Sequence, residues 1–276
     1  MPLKQEYEQL KQQISRYDAA GDYVGLAGAM DRFLELTGLL YGEESPEFAT
    51  TLNDFGGIHR DIGNYEKAET AFIQSAEKIA RLQSEQHADY GSVLNNLAGL
   101  YRLMRQYEKS AEYFQKTLEI YKVALGEQHF LYVSGLNNLG LLYQDMGRYE
   151  EAEALHSRSL AQLEEAADNP IAIATTLNNL ASALRQQHKL DEVKALLERA
   201  LGMYEQYLGR EHSLYAYGLN NLASYYMDLE QYENAAVYYQ SVLNLCETLF
   251  GVESRNYQVS KQNYEIASRK AAEQRG

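Results

Sequence analysis

Apolar residues recur along this chain at the three- and four-residue intervals that place side chains on one face of an α-helix. Leu94, Leu97 and Tyr101 share one such face, and Phe114 and Tyr121 share another one further along. A turn position lies between the two stretches. The pattern predicts a unit that consists of a helix, a short turn, a second helix and a loop.

This unit repeats along the chain. The motif Leu-Asn-Asn-Leu occurs four times, and a weaker copy precedes it. The leading leucines are spaced by 42, 42, 41 and 42 residues: Leu52, Leu94, Leu136, Leu177 and Leu219. Degenerate copies at Leu10 and Lys261 continue the same register towards both ends. Since one helical hairpin cannot bury its apolar face alone, we expect neighbouring units to stack into a continuous core.

Two further columns of the repeat support a helical hairpin. The turn position holds glycine in half of the units, as suits the left-handed residue that ends a helix, and other residues elsewhere: Gly21, Gly63 and Gly147, against Arg105, His188 and Glu230. Small residues stand where two helices must approach closely: Ala98, Gly140, Ala181 and Ala223 in the first helix, and Ala68, Ser110, Ala152 and Ala235 in the second.

The pattern Leu-x-x-Leu-Ala-x-x-Tyr, followed by the turn and by Tyr and Ala, resembles the tetratricopeptide repeat. The repeat length and the Leu-Asn-Asn-Leu core are similar to the 42-residue variety of kinesin light chains and many bacterial proteins. The resemblance implies an all-α, right-handed superhelical solenoid of about six antiparallel helix pairs and a C-terminal capping helix. We identify no heptad-bearing segment that would bind a kinesin heavy chain, so the chain is interpreted as a repeat relative and not as a kinesin subunit.

The repeat register also predicts the domain organisation. We expect a single solenoid domain over residues 1–276 because no linker interrupts the array. The predicted repeats are approximately 5–46, 47–88, 89–130, 131–171, 172–213 and 214–255, with the capping helix at 256–276.

Composition narrows the function classes. The net charge of −14 disfavours nucleic acid and anionic membranes as partners, because both require a basic face. Cys246 is the single cysteine, which excludes an internal disulfide and a cysteine-based zinc cluster. No apolar run approaches the roughly 20 residues of a membrane span, and the polar start of the chain lacks the apolar stretch of a secretory signal. We therefore expect a cytoplasmic protein.

In the family that the chain resembles, the first helix of each pair lines a concave groove. The resemblance places on that wall the first asparagine of each motif and the eighth residue after each leading leucine: Asn53, Asn95, Asn137, Asn178 and Asn220, with Arg60, Arg102, Gln144 and Arg185. Amide and guanidinium groups can hydrogen-bond the backbone of an extended chain and pair with its carboxylates. We therefore predict a site for an extended, acidic peptide.

Other polar columns are interpreted as structural. The second asparagine of each motif is expected to join neighbouring helices by hydrogen bonds: Asn96, Asn138, Asn179 and Asn221. Three histidines recur at one loop position and are expected to pack the loop, because separate repeats hold them too far apart for one metal site: His87, His129 and His212. His156 replaces the Phe72 and Phe114 of sister repeats and is interpreted as an interhelical residue.

The motifs of catalysis are missing from the sequence. It contains no glycine-rich phosphate loop, no nucleophile elbow and no His-Glu-x-x-His pattern. We predict no catalytic residue, no metal site, no cofactor and no enzymatic activity.

Three function hypotheses remain. The first is a scaffold or adaptor that binds a partner protein or peptide in the groove. The second is a regulatory sensor in which a peptide or small ligand tightens the superhelix. The third is self-association through terminal repeats, where Ala27, Met30, Phe33 and Leu34 lie near an open end.

Overall fold

The computed structural model describes residues 3–20, 22–167 and 169–275. Within these ranges the chain forms thirteen α-helices and no β-strand, so the prediction of an all-α repeat fold is confirmed. The turn residue Gly21 lies outside the described residues, as do positions 1, 2, 168 and 276 of the predicted domain.

The chain divides into two compact units, Met1–Leu142 and Tyr143–Gly276. The first unit contains α1 (Leu3–Ala20), α2 (Tyr23–Tyr41), α3 (Pro46–Asp61), α4 (Tyr65–Leu82), α5 (Ala88–Leu103), α6 (Tyr107–Ala124) and most of α7 (Phe130–Asp145). The second contains the end of α7, α8 (Tyr149–Ala166), α9 (Pro170–Gln186), α10 (Val193–Leu208), α11 (Ser213–Asp228), α12 (Tyr232–Phe250) and α13 (Arg255–Arg275). The single-domain interpretation and its repeat bounds stay a prediction.

Loop residues cap the first helix of five repeats. The Ser45 hydroxyl accepts a hydrogen bond from the Phe48 amide at 3.1 Å, as expected for an N-cap. Three histidines at the same column accept amide hydrogen bonds through Nδ1, at 3.1 to 3.2 Å: His87, His129 and His212. Asn169 caps α9 in the same way. The histidines that we expected to pack the loop therefore have a more specific role, which is to satisfy a free amide at a helix start.

The turn has the predicted left-handed backbone in the five helix pairs whose turn residue the structure describes. Gly63 and Gly147 adopt φ values of 81° and 73°. The residues that replace glycine adopt similar values, 59° for Arg105 and 57° for both His188 and Glu230. Because the Cβ atom disfavours this region, each of these three residues costs stability that glycine would not.

Small side chains allow the two helices of a repeat to approach closely. In the first unit Ala98 and Ser110 are fully buried, and the Ser110 hydroxyl donates to the Ala98 carbonyl at 2.7 Å. The large side chains Phe72, Leu97 and Tyr101 belong to one buried core cluster of the same unit. The hydroxyl thus forms a buried hydrogen bond between α5 and α6.

In the second unit, α13 covers the last helix pair. Ala267 is fully buried in a cluster with Ala235 and Tyr239 of α12. The Lys270 ammonium lies 4.9 Å from the centre of the Tyr232 ring, a distance typical of a cation–π contact. Both contacts agree with a capping helix that buries one face and exposes a polar one.

Of the four apolar residues named for self-association, Met30 and Phe33 are buried, whereas Ala27 and Leu34 are half-buried. Met30 and Phe33 are 2% and 9% exposed, in a cluster with Leu52 and Phe55 of α3. The Tyr7 ring of α1 stacks on Phe33 with a centroid distance of 4.5 Å. The expectation that Met30 and Phe33 lie at an open end is therefore wrong, because α1 and α3 cover them.

Among the helices that the structure describes, none has both the length and the apolar character needed to cross a membrane.

Candidate functional site

The predicted site residues lie on the first helix of each repeat. We call this set the polar wall: Asn53 and Arg60 on α3, Asn95 and Arg102 on α5, Asn137 and Gln144 on α7, Asn178 and Arg185 on α9, and Asn220 on α11. The unit boundary falls between Asn137 and Gln144, so each unit carries its own part of the wall.

In the first unit, pairs of asparagines link neighbouring repeats. Asn96 Nδ2 donates to Asn53 Oδ1 at 2.9 Å, and Asn138 Nδ2 donates to Asn95 Oδ1 at 3.0 Å. All four residues are half-buried. The expectation that the second asparagine joins neighbouring helices is confirmed for these pairs. Its acceptor, however, is the first asparagine of the preceding repeat.

This arrangement leaves the first asparagine with unused donors. Asn53 and Asn95 use Oδ1 between repeats, and their Nδ2 groups form no hydrogen bond within the described part of the chain. Each Nδ2 carries two N–H groups, which suit carbonyl or carboxylate acceptors. Asn137 is half-buried as well and has an interaction of its own.

In the second unit the corresponding pair lies deeper. Asn221 Nδ2 donates to Asn178 Oδ1 at 3.1 Å. Asn178 is 0% exposed, and its buried Nδ2 has no partner among the described residues. Asn220 is half-buried. The structure therefore places Asn178 beneath the surface of the wall and leaves Asn220 partly accessible.

The arginines of the wall already have partners. Arg185 forms an ion pair with Asp228 of the next repeat at 2.8 Å, and Arg60 pairs with the adjacent Asp61 at 2.8 Å. Arg102 is half-buried and also has an interaction partner. The prediction that these arginines are available positive charges did not include the carboxylate partners of Arg60 and Arg185. The spacing in the sequence could have indicated the Arg185–Asp228 pair. Asp228 follows Arg185 by 43 positions, which is also the separation of the asparagine pairs.

Gln144 is held in place by a buried histidine. Gln144 Nε2 lies 2.8 Å from His156 Nε2 and 3.3 Å from the Asn179 carbonyl oxygen. Burial lowers the pKa of His156 to about 4, so the ring is neutral at physiological pH. A neutral ring can accept from the Gln144 amide through Nε2. His156, which was interpreted as an interhelical residue, therefore also orients a side chain of the wall.

Side chains suited to metal binding are dispersed. The described residues include no group of three or more histidine, cysteine, aspartate or glutamate side chains that could hold a metal ion. What the wall offers chemically is hydrogen-bond donors and arginine–carboxylate pairs.

A family model described as Tetratricopeptide repeat matches the chain at residues 47–122, 89–165, 131–206 and 172–248. These overlapping matches cover most of the chain. No curated protein sequence matches it.

Several solved structures share the fold. BtubC (BKLC) from P. vanneervenii is 16% identical, with 92% of this chain and 95% of that chain covered and a TM-score of 0.62. A putative kinesin light chain of nearly identical TPR-like repeats from Podosopora anserina is 19% identical, with coverages of 75% and 99% and a TM-score of 0.60. A Rap protein complexed with Competence and Sporulation Factor is 15% identical, with coverages of 98% and 76% and a TM-score of 0.64.

At such identities these structures show the fold alone, and they confirm the resemblance to kinesin-light-chain-like repeats. The chain belongs to the tetratricopeptide-repeat family, whose fold generally serves as a non-enzymatic protein–protein interaction scaffold.

Proposed function

We propose that this scaffold binds extended, acidic segments of a partner protein through the parts of the polar wall that the two units carry. The observation that carries the proposal is the set of unused Nδ2 groups on Asn53 and Asn95. Each Oδ1 is engaged by the next repeat, so the amide plane is fixed and its donors need no reorganisation on binding. An extended backbone presents carbonyl acceptors at regular intervals, which a repeated donor can use.

The preference for acidic side chains rests on Arg185. Its side chain is 17% exposed and that of its partner Asp228 is 33% exposed. An ion pair that solvent partly reaches contributes about 1 kcal/mol or less, so a ligand carboxylate can compete for the guanidinium. Guanidinium groups bind carboxylates in a two-bond geometry, which favours aspartate or glutamate in the ligand.

The net charge of −14 supports a protein partner and not a nucleic acid or an anionic membrane. The negative net charge repels other acidic proteins in general, so an acidic ligand binds through the local positive charge of the wall arginines. We place this interaction in the cytoplasm.

The experiment begins with affinity capture from a lysate of the source cell and identification of the segment bound. Titration of that segment then compares the wild type with two single variants at one ion pair. Asp228→Asn releases Arg185 from its carboxylate and should strengthen binding. Arg185→Gln removes the guanidinium and should weaken binding.

Opposite effects of these two variants support an acidic ligand at Arg185. Equal effects of the same sign, with the fold verified by circular dichroism, would contradict it. A neutral ligand would be unaffected by both changes, and the scaffold role would then stand without the acidic preference.

A further inference from the structure

The first unit contains a cavity of about 760 Å³ between α1, α2 and α3, which we call the N-terminal cavity. Its apolar lining includes Ile14, Leu26, Met30, Phe33 and Ile58. Leu26 and Met30 are buried, at 3% and 2% exposure, and form the floor of the cavity. The cavity therefore has both the volume and the apolar surface that accommodate a large side chain.

The asparagine pairing between repeats is interrupted at this cavity. Asp54 stands at the column that holds Asn96 and Asn138 in the next two repeats. Lys11 stands at the column of Asn53, one repeat earlier. Both Asp54 and Lys11 line the cavity, and neither side chain forms a hydrogen bond or an ion pair with the described residues. Two charged residues thus stand at the columns where neutral asparagine pairs join the repeats elsewhere in the first unit.

The charges around the cavity favour a cation. Its lining contains the carboxylates of Glu47, Asp54 and Asp61, and Lys11 as the basic residue. The Asp61 carboxylate is already neutralised by Arg60 at 2.8 Å. Within the described part of the chain the Glu47 and Asp54 carboxylates form no ion pair, and Lys11 supplies the one ammonium group of the lining.

No neighbouring cation among the described residues offsets the desolvation of the Asp54 carboxylate. The residue as a whole is exposed, but protein atoms that surround the carboxylate raise its pKa by desolvation. Desolvation is the cause of this shift, with no contribution from a neighbouring cation. A bound cation would relieve that cost.

We propose that the N-terminal cavity binds a basic side chain, arginine or lysine, of a partner polypeptide. The aliphatic stem lies on the apolar floor and the cationic head meets the Asp54 carboxylate. The floor disfavours a metal ion, which needs several oxygen ligands and no apolar surface. This site goes beyond the acidic segment proposed for the wall: it requires the opposite charge and does not depend on Arg185, although Asn53 of the wall also lines the cavity.

The test uses a variant that the repeat itself supplies. Asp54→Asn introduces the residue found at this column in four other repeats, so the fold should be retained. Glu119→Gln on α6 removes the same charge from an exposed position of the first unit and serves as the matched control. Lys11→Gln removes the competing ammonium group and should strengthen binding of a cation.

The probe is a short, acetylated and amidated peptide with a central arginine between leucine and phenylalanine. The reference peptide carries neutral citrulline in place of arginine. Fluorescence anisotropy on the full chain should show about fivefold tighter binding of the arginine peptide, as expected for one partly exposed charge pair. Asp54→Asn should abolish this preference, Glu119→Gln should retain it and Lys11→Gln should increase it.

Three results would overturn the proposal: equal affinity for the two peptides, a preference that survives Asp54→Asn, or butylguanidinium that binds as tightly as the peptide. The last would assign the cavity to a small organic cation and not to a side chain of a polypeptide. Arg185→Gln should leave the arginine probe unaffected, so failure of the acidic site and failure of the N-terminal cavity can be distinguished.

Discussion

The Asn96 side-chain amide donates to Asn53 Oδ1 at 2.9 Å, one repeat earlier in the chain. This bond joins two repeats and fixes the orientation of Asn53, whose N–H groups then remain for a ligand. Asn138 and Asn95 repeat the relationship in the first unit. Stability and the proposed recognition therefore involve two different atoms of the Asn53 side chain, which substitutions can separate.

Asn96→Ala should lower the free energy of unfolding by about 1 kcal/mol, since it removes a half-buried hydrogen bond between repeats. Urea denaturation followed by circular dichroism measures the change. Asn53→Asp is the matched variant, because its carboxylate still accepts from Asn96. A loss in Asn53→Asp as large as that in Asn96→Ala would show that the bond is not the source of the stability.

The buried pair Asn178 and Asn221 should behave non-additively. Asn178→Leu leaves the Asn221 donor without its acceptor, at a cost of about 1–3 kcal/mol. Changing both residues to leucine removes both polar groups, along with the unpartnered Asn178 Nδ2, and should be nearly neutral. A double-mutant cycle in urea checks this, and a double variant as unstable as the sum of the single ones would refute it.

Arg105→Gly should stabilise the chain by about 0.5–1 kcal/mol. The residue has a φ of 59°, where the gain from relieving its Cβ exceeds the backbone entropy that glycine adds in the unfolded chain. Gly63→Ala is the reverse test: an added Cβ there meets no atom within 4 Å, so any loss arises from the backbone alone. Thermal denaturation should shift upwards for the first variant and downwards for the second.

His156 should make stability depend on pH. Burial disfavours the charged ring and lowers its pKa from the ordinary value of 6.5 to about 4 in the folded chain. The unfolded chain then binds the extra proton between these values, so the unfolding free energy falls as pH drops from about 6.5 to about 4, by at most about 3 kcal/mol. Burial also lowers the pKa of His59, which contributes in the same direction.

His156→Phe introduces the residue found in two sister repeats. It should reduce the pH dependence of the unfolding free energy to the part that His59 contributes. Urea denaturation across this pH range measures the slope. An unchanged slope in His156→Phe would exclude His156 as its source.

The helical fold could be predicted because it depends on features that repeat. The spacing of Leu94 and Leu97 sets the buried face of a helix, and the turn column adopts a left-handed backbone even where Arg105 replaces glycine. These are local properties that recur from repeat to repeat, so they can be detected without knowledge of tertiary contacts.

The side-chain pairings of the polar wall were harder to predict from the sequence, because they depend on which residues of different helices lie close together. The pairing of Arg185 with Asp228 and of Gln144 with His156 joins different helices. The capping role of His87 was missed because histidine is an uncommon cap, although Ser45 at the same column is an ordinary one.

The most direct measurement is the affinity of the captured partner segment for the double variant Asn53→Asp, Asn95→Asp. These changes keep the acceptors for Asn96 and Asn138 but remove the outward donors. The control Gln74→Glu, Gln128→Glu adds the same charge at exposed positions on α4 and in the loop before α7. Binding should weaken by at least about tenfold in the aspartate variant and remain unchanged in the control. Equal affinity of the folded aspartate variant and the wild type would show that the asparagine donors do not bind the partner.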